Sequence, residues 1–435
     1  MKYNDTMETM PQKDLQKLQL EKFKKQVNHV YKNKFFKSVF EQENFHPEKI
    51  RYWEDIKQVP FTYKKYLRDN YPLGLLSGNW DDVVRVHMTS GTTGIPTPMV
   101  YTKNDLDTWS ECLARGLIAA GLKPGDIVQQ SHGIGLFTGG FGFHYGLERM
   151  GAKIIPTGSG GTERQLRLMK EWGVTAFVST PSYAVYVAET ALEKGIDLVS
   201  ELKLRIGFHG AEPCSEELRK RINKLFGYKE HGEGGGVKVT YGLTEMGGPI
   251  SMECAHENGI HIWADHYLVE VIDPDSLNDV EPGQPGELVI SNLSFEAMPL
   301  IRYRTGDRVI VDFETCICGR THPRITKFLG RVDDMILVSG TNVFPSQVEY
   351  VLLKHDKLSE NWQLIVGEKK GLHTLKVEVE PVPGTEIDDN YVANIEKELH
   401  SYLLIKCKVE IKPVGSLPRF EGKAKRVIDK RQDSV

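Results

Sequence analysis

One pattern repeats between residues 127 and 225, and it constrains the fold more than any other feature of the sequence. Short apolar runs alternate with segments of helical period, separated by turns rich in glycine or polar residues. The predicted strands cover residues 127–131, 154–156, 176–179 and 204–208, and the predicted helices cover residues 162–172, 182–194 and 215–225. Such alternation forms parallel βαβ units, whose ligands gather beyond the C-terminal ends of the strands. We therefore expect an α/β fold.

The sequence changes character after Asp265. Residues 269–272 and 287–290 are apolar strand candidates joined by a turn rich in proline and glycine, which indicates an antiparallel β region. After a junction at residues 330–334, a strand of period two lies between two predicted helices. The predicted elements of this last part cover residues 346–355, 375–380 and 390–404.

These patterns predict two domains. The large N-terminal domain would cover residues 1–330, with parallel βαβ sheets, the antiparallel region and an N-terminal cap over residues 1–80. The small C-terminal domain would have the α+β class and cover residues 331–435.

Bulk composition excludes several classes of protein. Hydrophobic residues make up 40% and charged residues 26% of the 435 positions, which is ordinary for a globular protein. A net charge of −4 argues against a general binder of nucleic acid or membrane surfaces. No apolar run approaches the roughly 20 residues that cross a bilayer, and the first residues lack the apolar core of a signal peptide. We expect a cytoplasmic protein with reduced cysteines and with neither a nucleic-acid nor a membrane partner.

Residues 88–102 concentrate hydroxyl groups and glycines between two apolar runs. Glycine lets a backbone approach a ligand closely, and successive N–H groups with hydroxyls form a concave anion site. The stretch is not a Walker A loop, because Pro96 stands where a helix should open. We expect a mobile loop that binds a polyphosphate, and the alternative is a flexible surface hairpin. The candidate loop residues are Ser90, Gly91, Thr92, Thr93 and Gly94.

Two later runs carry further polar groups suited to a nucleotide. The first ends in Tyr241-Gly-Leu-Thr-Glu245, where the tyrosine can stack on a purine and the glutamate can hold magnesium. Thr244 in this run can bond a phosphate. The second run ends at Asp307, whose carboxylate can accept hydrogen bonds from ribose hydroxyls. The alternatives are a capped strand end with a buried tyrosine, and a salt-bridged turn.

The order of these motifs, followed by Arg331 and Lys423, resembles the signature of the adenylate-forming enzymes. The chain is similar to the phenylacetate–coenzyme A ligase branch of that superfamily over about residues 61–431. Further runs that carry the resemblance lie at residues 135–140, 144–146, 161–165, 210–213 and 342–345. The resemblance implies that an aryl acid, phenylacetate or a related arylacetate, reacts with ATP and then with coenzyme A. The implied products are an acyl-adenylate and pyrophosphate, then the thioester and AMP.

The resemblance also implies a role for each matching residue. The hydroxyl-rich loop would close over the β- and γ-phosphates, although Ile95 stands where the family usually has lysine. Asp307 and Arg331 would hold the ribose. Thr244 would touch the α-phosphate, and Glu245 would bind Mg²⁺. The adenine pocket would be formed by Gly210, Ala211, Glu212, Pro213, Tyr241 and Gly242.

Two lysines and a hinge complete the implied machinery. Lys423 would be the catalytic lysine of the first half-reaction, and the alternative is a lysine in a solvated basic tail. Lys64 would reach a phosphate, and the alternative is an ordinary surface lysine. Asp333 would be the hinge about which a mobile C-terminal domain rotates between the two half-reactions.

The acid pocket is predicted from the glycine-rich loop at residues 135–146. Phe137 and Phe141 are expected nearest the acid, since aromatic side chains suit an aryl acetate. Ile134 and Phe143 are positions where side-chain size would change the acid accepted. The alternative is that these rings pack in the core beneath the loop.

A cysteine pair suggests a structural metal site. Cys316 and Cys318 are close in sequence, and Cys254 and His261 form a second short cluster upstream. Tetrahedral zinc takes four sulfur or nitrogen ligands, and two such clusters can supply them. We predict a structural zinc on these four residues. The alternatives are free buried cysteines, or His256 or His322 in place of His261.

Two other functions compete with an arylacetate–coenzyme A ligase. One is an adenylating enzyme that transfers another acyl group to a carrier-protein thiol. The other is a non-catalytic nucleotide-binding homologue, against which the retained Glu245, Asp307, Arg331 and Lys423 argue. The family often forms homodimers, so a homodimer is also expected.

Overall fold

The computed structural model describes residues 1–89, 96–136, 138–212, 214–228, 234–331, 336–338, 341–369, 372–419 and 426–430. The α-helices there are α1 (Asp5–Glu8), α2 (Gln12–Val30), α3 (Lys34–Gln42), α4 (Lys64–Asp69), α5 (Lys103–Ala120), α6 (Thr138–Met150), α7 (Thr162–Trp172), α8 (Pro181–Glu193), α9 (Leu198–Glu201), α10 (Glu216–Phe226), α11 (Pro345–Leu352) and α12 (Asp389–Leu403). Short 3₁₀ turns lie at Pro47–Lys49, Trp53–Gln58, Trp80–Asp82 and Thr244–Met246.

The strands follow the same chain order. They are β1 (Val83–Met88), β2 (Pro98–Thr102), β3 (Ile127–Gln130), β4 (Lys153–Pro156), β5 (Ala176–Ser179), β6 (Ile206–His209), β7 (Gly236–Leu243), β8 (Gly248–Glu253), β9 (Ile260–Ile262), β10 (Tyr267–Ile272), β11 (Gly286–Asn292), β12 (Tyr303–Asp312), β13 (Arg324–Arg331), β14 (Ile336–Val338), β15 (Thr341–Val343), β16 (Leu358–Lys369), β17 (Leu372–Pro381), β18 (Cys407–Ile411) and β19 (Val427–Asp429).

One sheet organises the large domain. Its strand order is β10-β11-β12-β13-β9-β8-β7-β6-β5-β3-β4. Strands β3 to β7 pair in parallel, and β7 also pairs antiparallel with β8, so the two halves join at β7. The predicted α/β class and the antiparallel region are confirmed. The sequence patterns do not predict that the two parts form a single sheet.

Helices cover both faces of the parallel half of the sheet. Their sequences supply the capping residues at the helix starts and the apolar faces that pack on the strands. Thr180 and Ser215 accept hydrogen bonds from backbone N–H groups of α8 and α10, which satisfies donors left open at a helix start. Pro181 supplies the fixed backbone angle favoured at the first helical position. The apolar faces of α7, α8 and α10 then bury against Phe177 and Val237 of the sheet.

Residues 138–150 form helix α6, which corrects the prediction of a loop through residue 146. The glycines in this segment serve close packing rather than a turn. A Cβ at Gly146 would lie 2.4 Å from Leu113 Cβ on α5, and a Cβ at Gly140 would lie 2.3 Å from the Gly133 carbonyl oxygen. The many glycines therefore mark a helix pressed against its neighbours.

The N-terminal residues pack against the antiparallel half of the sheet. Phe23, Val27 and Val30 of α2 are fully buried there. Gln19 Nε2 donates to the Ala264 carbonyl oxygen at 2.9 Å, which ties α2 to the segment that precedes β10. In the described part of the chain, no helix has the length and apolar character needed to cross a bilayer.

A separate small domain follows β13. Its sheet has the order β18-β17-β16-β19, and α11 and α12 pack on it around a core of its own. Leu375, Val377 and Val379 are buried on one face, as the period-two pattern predicts. On the other face, Lys376 Nζ donates to Glu378 Oε1 at 2.6 Å, so ion pairs cover the polar side.

Candidate functional site

The candidate site lies where β6 and β7 end, beside β12 and β13. Gly210 follows β6, and a Cβ there would lie 2.1 Å from Thr240 Oγ1, so only glycine fits without movement. Ala211 has a φ of 71°, a left-handed conformation that strains a residue with a side chain. Such strain is concentrated at functional sites. The turn is held in one shape next to the tyrosine of β7.

Asp307 stands at the centre of a hydrogen-bonded set. It lies opposite Arg331 in the register of β12 and β13, and Arg331 Nη1 donates to its Oδ1 at 2.7 Å. Tyr241 donates its hydroxyl to Asp307 Oδ2 at 2.7 Å. Two donors from different strands therefore fix the carboxylate. The structure brings together three residues that the sequence places up to 90 positions apart.

The ring of Tyr241 packs against Phe328 of β13, with centroids 5.0 Å apart. Phe328 is partly exposed, which is unusual for a large apolar side chain on a strand. Burial, and then the charge of Asp307, raise the pKa of Tyr241 above its usual range, so its hydroxyl stays protonated and remains a donor.

Glu245 is buried in the 3₁₀ turn that follows β7. Lys64 Nζ lies 3.2 Å from its Oε1, and the Tyr303 hydroxyl donates to the same oxygen at 3.2 Å. The Thr244 carbonyl accepts from the Tyr101 hydroxyl at 2.9 Å, which anchors the turn. A buried carboxylate is thus held in place after β7, and carboxylate oxygen is a ligand type that Mg²⁺ prefers.

Tyr303 of β12 donates to one of the two carboxylates, that of Glu245. Burial, and then the charge of Glu245, raise the pKa of Tyr303 above its usual range. The tyrosine therefore stays protonated and remains a donor to Glu245. Thr62 contacts the residue before β12, because its N–H donates to the Arg302 carbonyl at 3.0 Å. This contact positions Lys64 two residues later.

The predicted acid-pocket residues have different surroundings. The side chain of Ile134 is 49% exposed, so it is not part of the hydrophobic core. The ring of Phe141 lies 5.5 Å from His87 and under the Arg85 guanidinium at 4.8 Å. Phe143 is fully buried against His132 and Phe208, so the core-packing alternative holds for it.

The remaining predicted residues are only partly described. Glu212 Oε1 accepts from the Ser182 N–H at 2.6 Å, and Gly242 lies within β7. The phosphate-loop residues Ser90, Gly91, Thr92, Thr93 and Gly94, and also Phe137, Pro213, Asp333 and Lys423, lie outside the described residues.

The four predicted metal ligands come together. The ligand atoms of Cys254, His261, Cys316 and Cys318 all lie within 4.8 Å of one another. Cys254 Sγ is 4.0 Å from Cys316 Sγ, and Cys318 Sγ is 3.5 Å from His261 Nε2. Bond lengths to tetrahedral zinc imply about 3.8 Å between two sulfurs and about 3.6 Å between sulfur and nitrogen. The donor set and spacing fit a zinc ion.

His322 is not one of the clustered ligands, because both of its ring nitrogens form hydrogen bonds with backbone groups. Its Nδ1 accepts from the Ala264 N–H at 2.7 Å, and its Nε2 lies 2.8 Å from the Met7 carbonyl oxygen. Arg320 of the same loop pairs with the fully buried Glu8 at 2.6 Å. The cysteine loop therefore binds the N-terminal residues.

Tyr303, Phe328 and the Glu8–Arg320 pair belong to this region but were not predicted from the sequence. Tyr303 lies inside the run that ends at Asp307, and its aromatic type beside two arginines was the available signal. The sequence around Phe328 carries no comparable signal, because β13 does not alternate between apolar and polar residues. Glu8 carries no local sign of burial, since its partner lies 312 residues away.

Models of known protein families match both the N-terminal and the C-terminal parts of the chain. A family model described as AMP-binding enzyme matches residues 8–295, and one described as AMP-binding enzyme C-terminal domain matches residues 340–431. The chain is 41% identical to the phenylacetate-coenzyme A ligase of Thermus thermophilus, over 99% of this chain and 100% of that protein. It is 38% identical to the phenylacetate-coenzyme A ligase of Escherichia coli, over 98% and 97%.

Solved structures of a 2-hydroxyisobutyryl-CoA ligase are also similar. In the postadenylation state with 2-HIB-AMP, that protein gives a TM-score of 0.90 at 26% identity, over 99% of this chain and 92% of that chain. In the thioesterification state with 2-HIB-AMP and CoA, it gives a TM-score of 0.73 at 27% identity, over 99% and 93%.

Proposed function

The chain belongs to the phenylacetate-coenzyme A ligase family of AMP-binding enzymes, and we propose that it ligates an aryl acid to coenzyme A using ATP. The acid is phenylacetate or a related arylacetate. The reaction passes through an acyl-adenylate and releases pyrophosphate and AMP. The observation that supports this most is the fixed Asp307 carboxylate, held by Tyr241 and Arg331 beside the Glu245–Lys64 pair.

The nucleotide would lie across these groups. Asp307 and Arg331 bind the ribose hydroxyls, and Gly210, Ala211, Glu212, Pro213 and Gly242 surround the adenine. The face of Tyr241 stacks on the base, since its hydroxyl is already fixed by Asp307. Thr244 contacts the α-phosphate, and the loop of Ser90, Gly91, Thr92, Thr93 and Gly94 covers the outer phosphates.

In the first half-reaction a carboxylate oxygen of the acid attacks the α-phosphorus, and the bond to pyrophosphate breaks. Two anions must approach, so positive groups are needed where charge develops. Lys64 and Lys423 supply ammonium groups to the phosphates. Glu245 binds Mg²⁺, which offsets phosphate charge when bound. Glu245 would hold the cation, and Lys64, whose ammonium group lies 3.2 Å from Glu245 Oε1, would donate to a phosphate beside it.

In the second half-reaction the thiol of coenzyme A attacks the acyl carbon and AMP leaves. Lys423 would obstruct that approach, so the small domain rotates about Asp333. The proposed boundary between the domains follows β13, which ends at Arg331, and precedes β14, which starts at Ile336. The aryl group lies near Ile134, Phe137 and Phe141, where Arg85 and His87 adjoin the ring of Phe141.

The zinc proposal concerns structure rather than catalysis. Cys254, His261, Cys316 and Cys318 would bind zinc, which links β8 and β9 to the loop between β12 and β13. The spacing of the four donors supports it. We further propose a cytoplasmic location and a homodimer.

A pyrophosphate-release assay tests the function directly. Full-length protein with ATP, Mg²⁺ and a panel of carboxylic acids should release pyrophosphate with arylacetates, and adding coenzyme A should yield the thioester. Pyrophosphate release without a thioester would instead support a carrier-protein acceptor. No release with any acid would support a non-catalytic nucleotide-binding homologue.

A further inference from the structure

An ion pair joins the large domain directly to the small domain. Arg221 belongs to α10 of the large domain, and Glu360 belongs to β16 of the small domain. The Nη1 atom of Arg221 lies 2.8 Å from Oε2 of Glu360 and donates to the Leu358 carbonyl oxygen at 3.4 Å. Helix α10 therefore contacts both a carboxylate and a backbone group at the start of β16.

The carboxylate of this pair is withdrawn from water. The side chain of Glu360 is 5% exposed, and that of Arg221 is 26% exposed. Glu189 of α8 lines the same cleft, so the large domain presents a carboxyl group here as well. Removing one partner from a buried ion pair leaves a charge that is costly to keep from water. Glu360 therefore enters this contact as a carboxylate because Arg221 faces it.

The neighbouring arginines of the small domain are paired within that domain. Arg419 Nη2 lies 2.7 Å from Glu380 Oε2, and Arg426 Nε lies 3.8 Å from Glu349 Oε1. Arg426 also donates to the Glu360 carbonyl oxygen at 3.0 Å, which fixes the backbone at the start of β16. Because both partners of each contact lie in the small domain, these contacts require no particular orientation of that domain. The pair with α10 does require one.

A further contact with α10 is apolar. Leu353, which follows α11, packs against the core cluster that includes Ile222 and Phe226 of α10. An apolar contact has no directional requirement, so it allows the two surfaces to slide past each other. The attraction in an ion pair falls as its two atoms separate. Helix α10 thus supplies an apolar surface on which the small domain rests, and Arg221 determines where it rests.

The orientation that contains this pair is closer to one state of a related ligase than to another. The chain gives a TM-score of 0.90 against the postadenylation state of the 2-hydroxyisobutyryl-CoA ligase and 0.73 against its thioesterification state. Each comparison covers 99% of this chain. The difference therefore concerns the arrangement of the chain rather than the part of it that is matched.

We propose that Arg221 and Glu360 are positioning residues for the first half-reaction. Their ion pair holds the small domain, which carries Lys423 in its sequence, in the orientation observed here while the acyl-adenylate forms. The pair must break before the small domain rotates toward the orientation that admits coenzyme A. The proposal rests on the two half-reactions of the proposed function.

The test measures the two half-reactions separately in the full chain. Pyrophosphate release with ATP, Mg²⁺ and phenylacetate reports the first. Thioester formation from synthetic phenylacetyl-adenylate and coenzyme A reports the second. Arg221→Met and Glu360→Gln each remove one charge, and a double variant removes both. Lys220→Met, at the neighbouring exposed residue of α10, and Glu386→Gln, at an exposed residue of the small domain, are the matched controls.

Arg221→Met and Glu360→Gln should each slow pyrophosphate release at least about fivefold, because the orientation for adenylate formation loses its ion pair. Thioester formation should keep its rate or become faster, because that step needs the other orientation. The double variant should be no slower than the slower single variant, as expected of residues that act through one contact. Unchanged pyrophosphate release, an equal fall in both half-reactions, or losses that multiply in the double variant would overturn the proposal.

Small-angle X-ray scattering of the ligand-free chain gives a reading that needs no turnover. The unaltered protein and both controls should share one scattering curve, and the three variants of the pair should depart from it together. If no acid is turned over but the curves differ in this way, the proposed reaction fails and the contact between the domains stands. If turnover occurs and all curves are identical, the positioning role fails and the reaction stands.

Discussion

Asp307 is the single residue on which most of the proposed nucleotide contacts depend. Replacing it by asparagine keeps its size but removes the negative charge of the carboxylate. Arg331 and Tyr241 each donate a hydrogen bond of 2.7 Å to this carboxylate. A hydrogen bond to a charged group contributes about 1.5–3 kcal/mol. We therefore expect Asp307→Asn to raise the KM for ATP at least about tenfold. Asp275→Asn, in an exposed turn, should leave KM unchanged in the same steady-state assay.

Lys64 offers a second test at this scale. Its ammonium is 3.2 Å from Glu245, yet the side chain is 41% exposed, so the pair adds little to stability. Lys64→Ala should lower the rate of adenylate formation by about tenfold or more, because a positive group at the phosphates is lost. Thermal unfolding should shift little.

The neighbouring Lys65 provides the matched control. Its side chain is 73% exposed and lies 3.8 Å from Asp69. Lys65→Ala should retain the rate of the unaltered protein. If both alanine variants had the same rate of pyrophosphate release as the unaltered protein, Lys64 would have no role in the first half-reaction.

At the scale of elements, the cysteine loop between β12 and β13 makes the clearest prediction. Cys316→Ser removes one of four clustered ligands, so the purified protein should lose its bound zinc and should melt at a lower temperature. Ile317→Ser changes the residue between the two cysteines, whose side chain is 73% exposed, and should keep the metal. Elemental analysis of both variants checks this, and absence of zinc from the unaltered protein would refute the site.

The same loop carries the partner of Glu8. This carboxylate is fully buried against Arg320, so Glu8→Ala leaves a buried charge without its ion-pair partner. Loss of one partner of a buried pair costs about 3–5 kcal/mol. Asp5→Ala, whose side chain is 76% exposed beside Lys2, should cost less than about 1 kcal/mol. Thermal unfolding of the two variants should differ by several degrees, and equal midpoints would contradict a role for Glu8 in stability.

The elements differ in how far the sequence determines them. Strands β3 to β6 and helices α7, α8 and α10 were predictable because each forms a local apolar or helical pattern bounded by turn residues. Helix α6 was not, since its glycines resemble a loop until their packing against α5 is known. The register that sets Asp307 opposite Arg331 depends on pairing between distant strands. Local patterns and the family resemblance therefore predicted the candidate residues, and only the fold placed Tyr241, Asp307 and Arg331 together.

At the scale of the whole molecule, two domains with separate cores meet where Arg221 of the large domain pairs with Glu360 of the small domain at 2.8 Å. The sequence predicted the small domain from its α+β pattern. It could not predict this contact, because Arg221 and Glu360 lie 139 positions apart and neither has a distinctive neighbour. Under the proposed function, the adenylation and thioester steps share one site, and we propose that movement of the small domain changes what covers it.

A rapid-quench experiment tests the central claim most directly. Full-length protein is mixed with ATP, Mg²⁺ and phenylacetate, and the quenched products are identified by mass spectrometry. Without coenzyme A, phenylacetyl-adenylate should accumulate to about one per chain. On addition of coenzyme A it should disappear as phenylacetyl-CoA and AMP appear at the same rate. Formation of the thioester with ADP, or with no adenylate at any time, would contradict the proposed reaction.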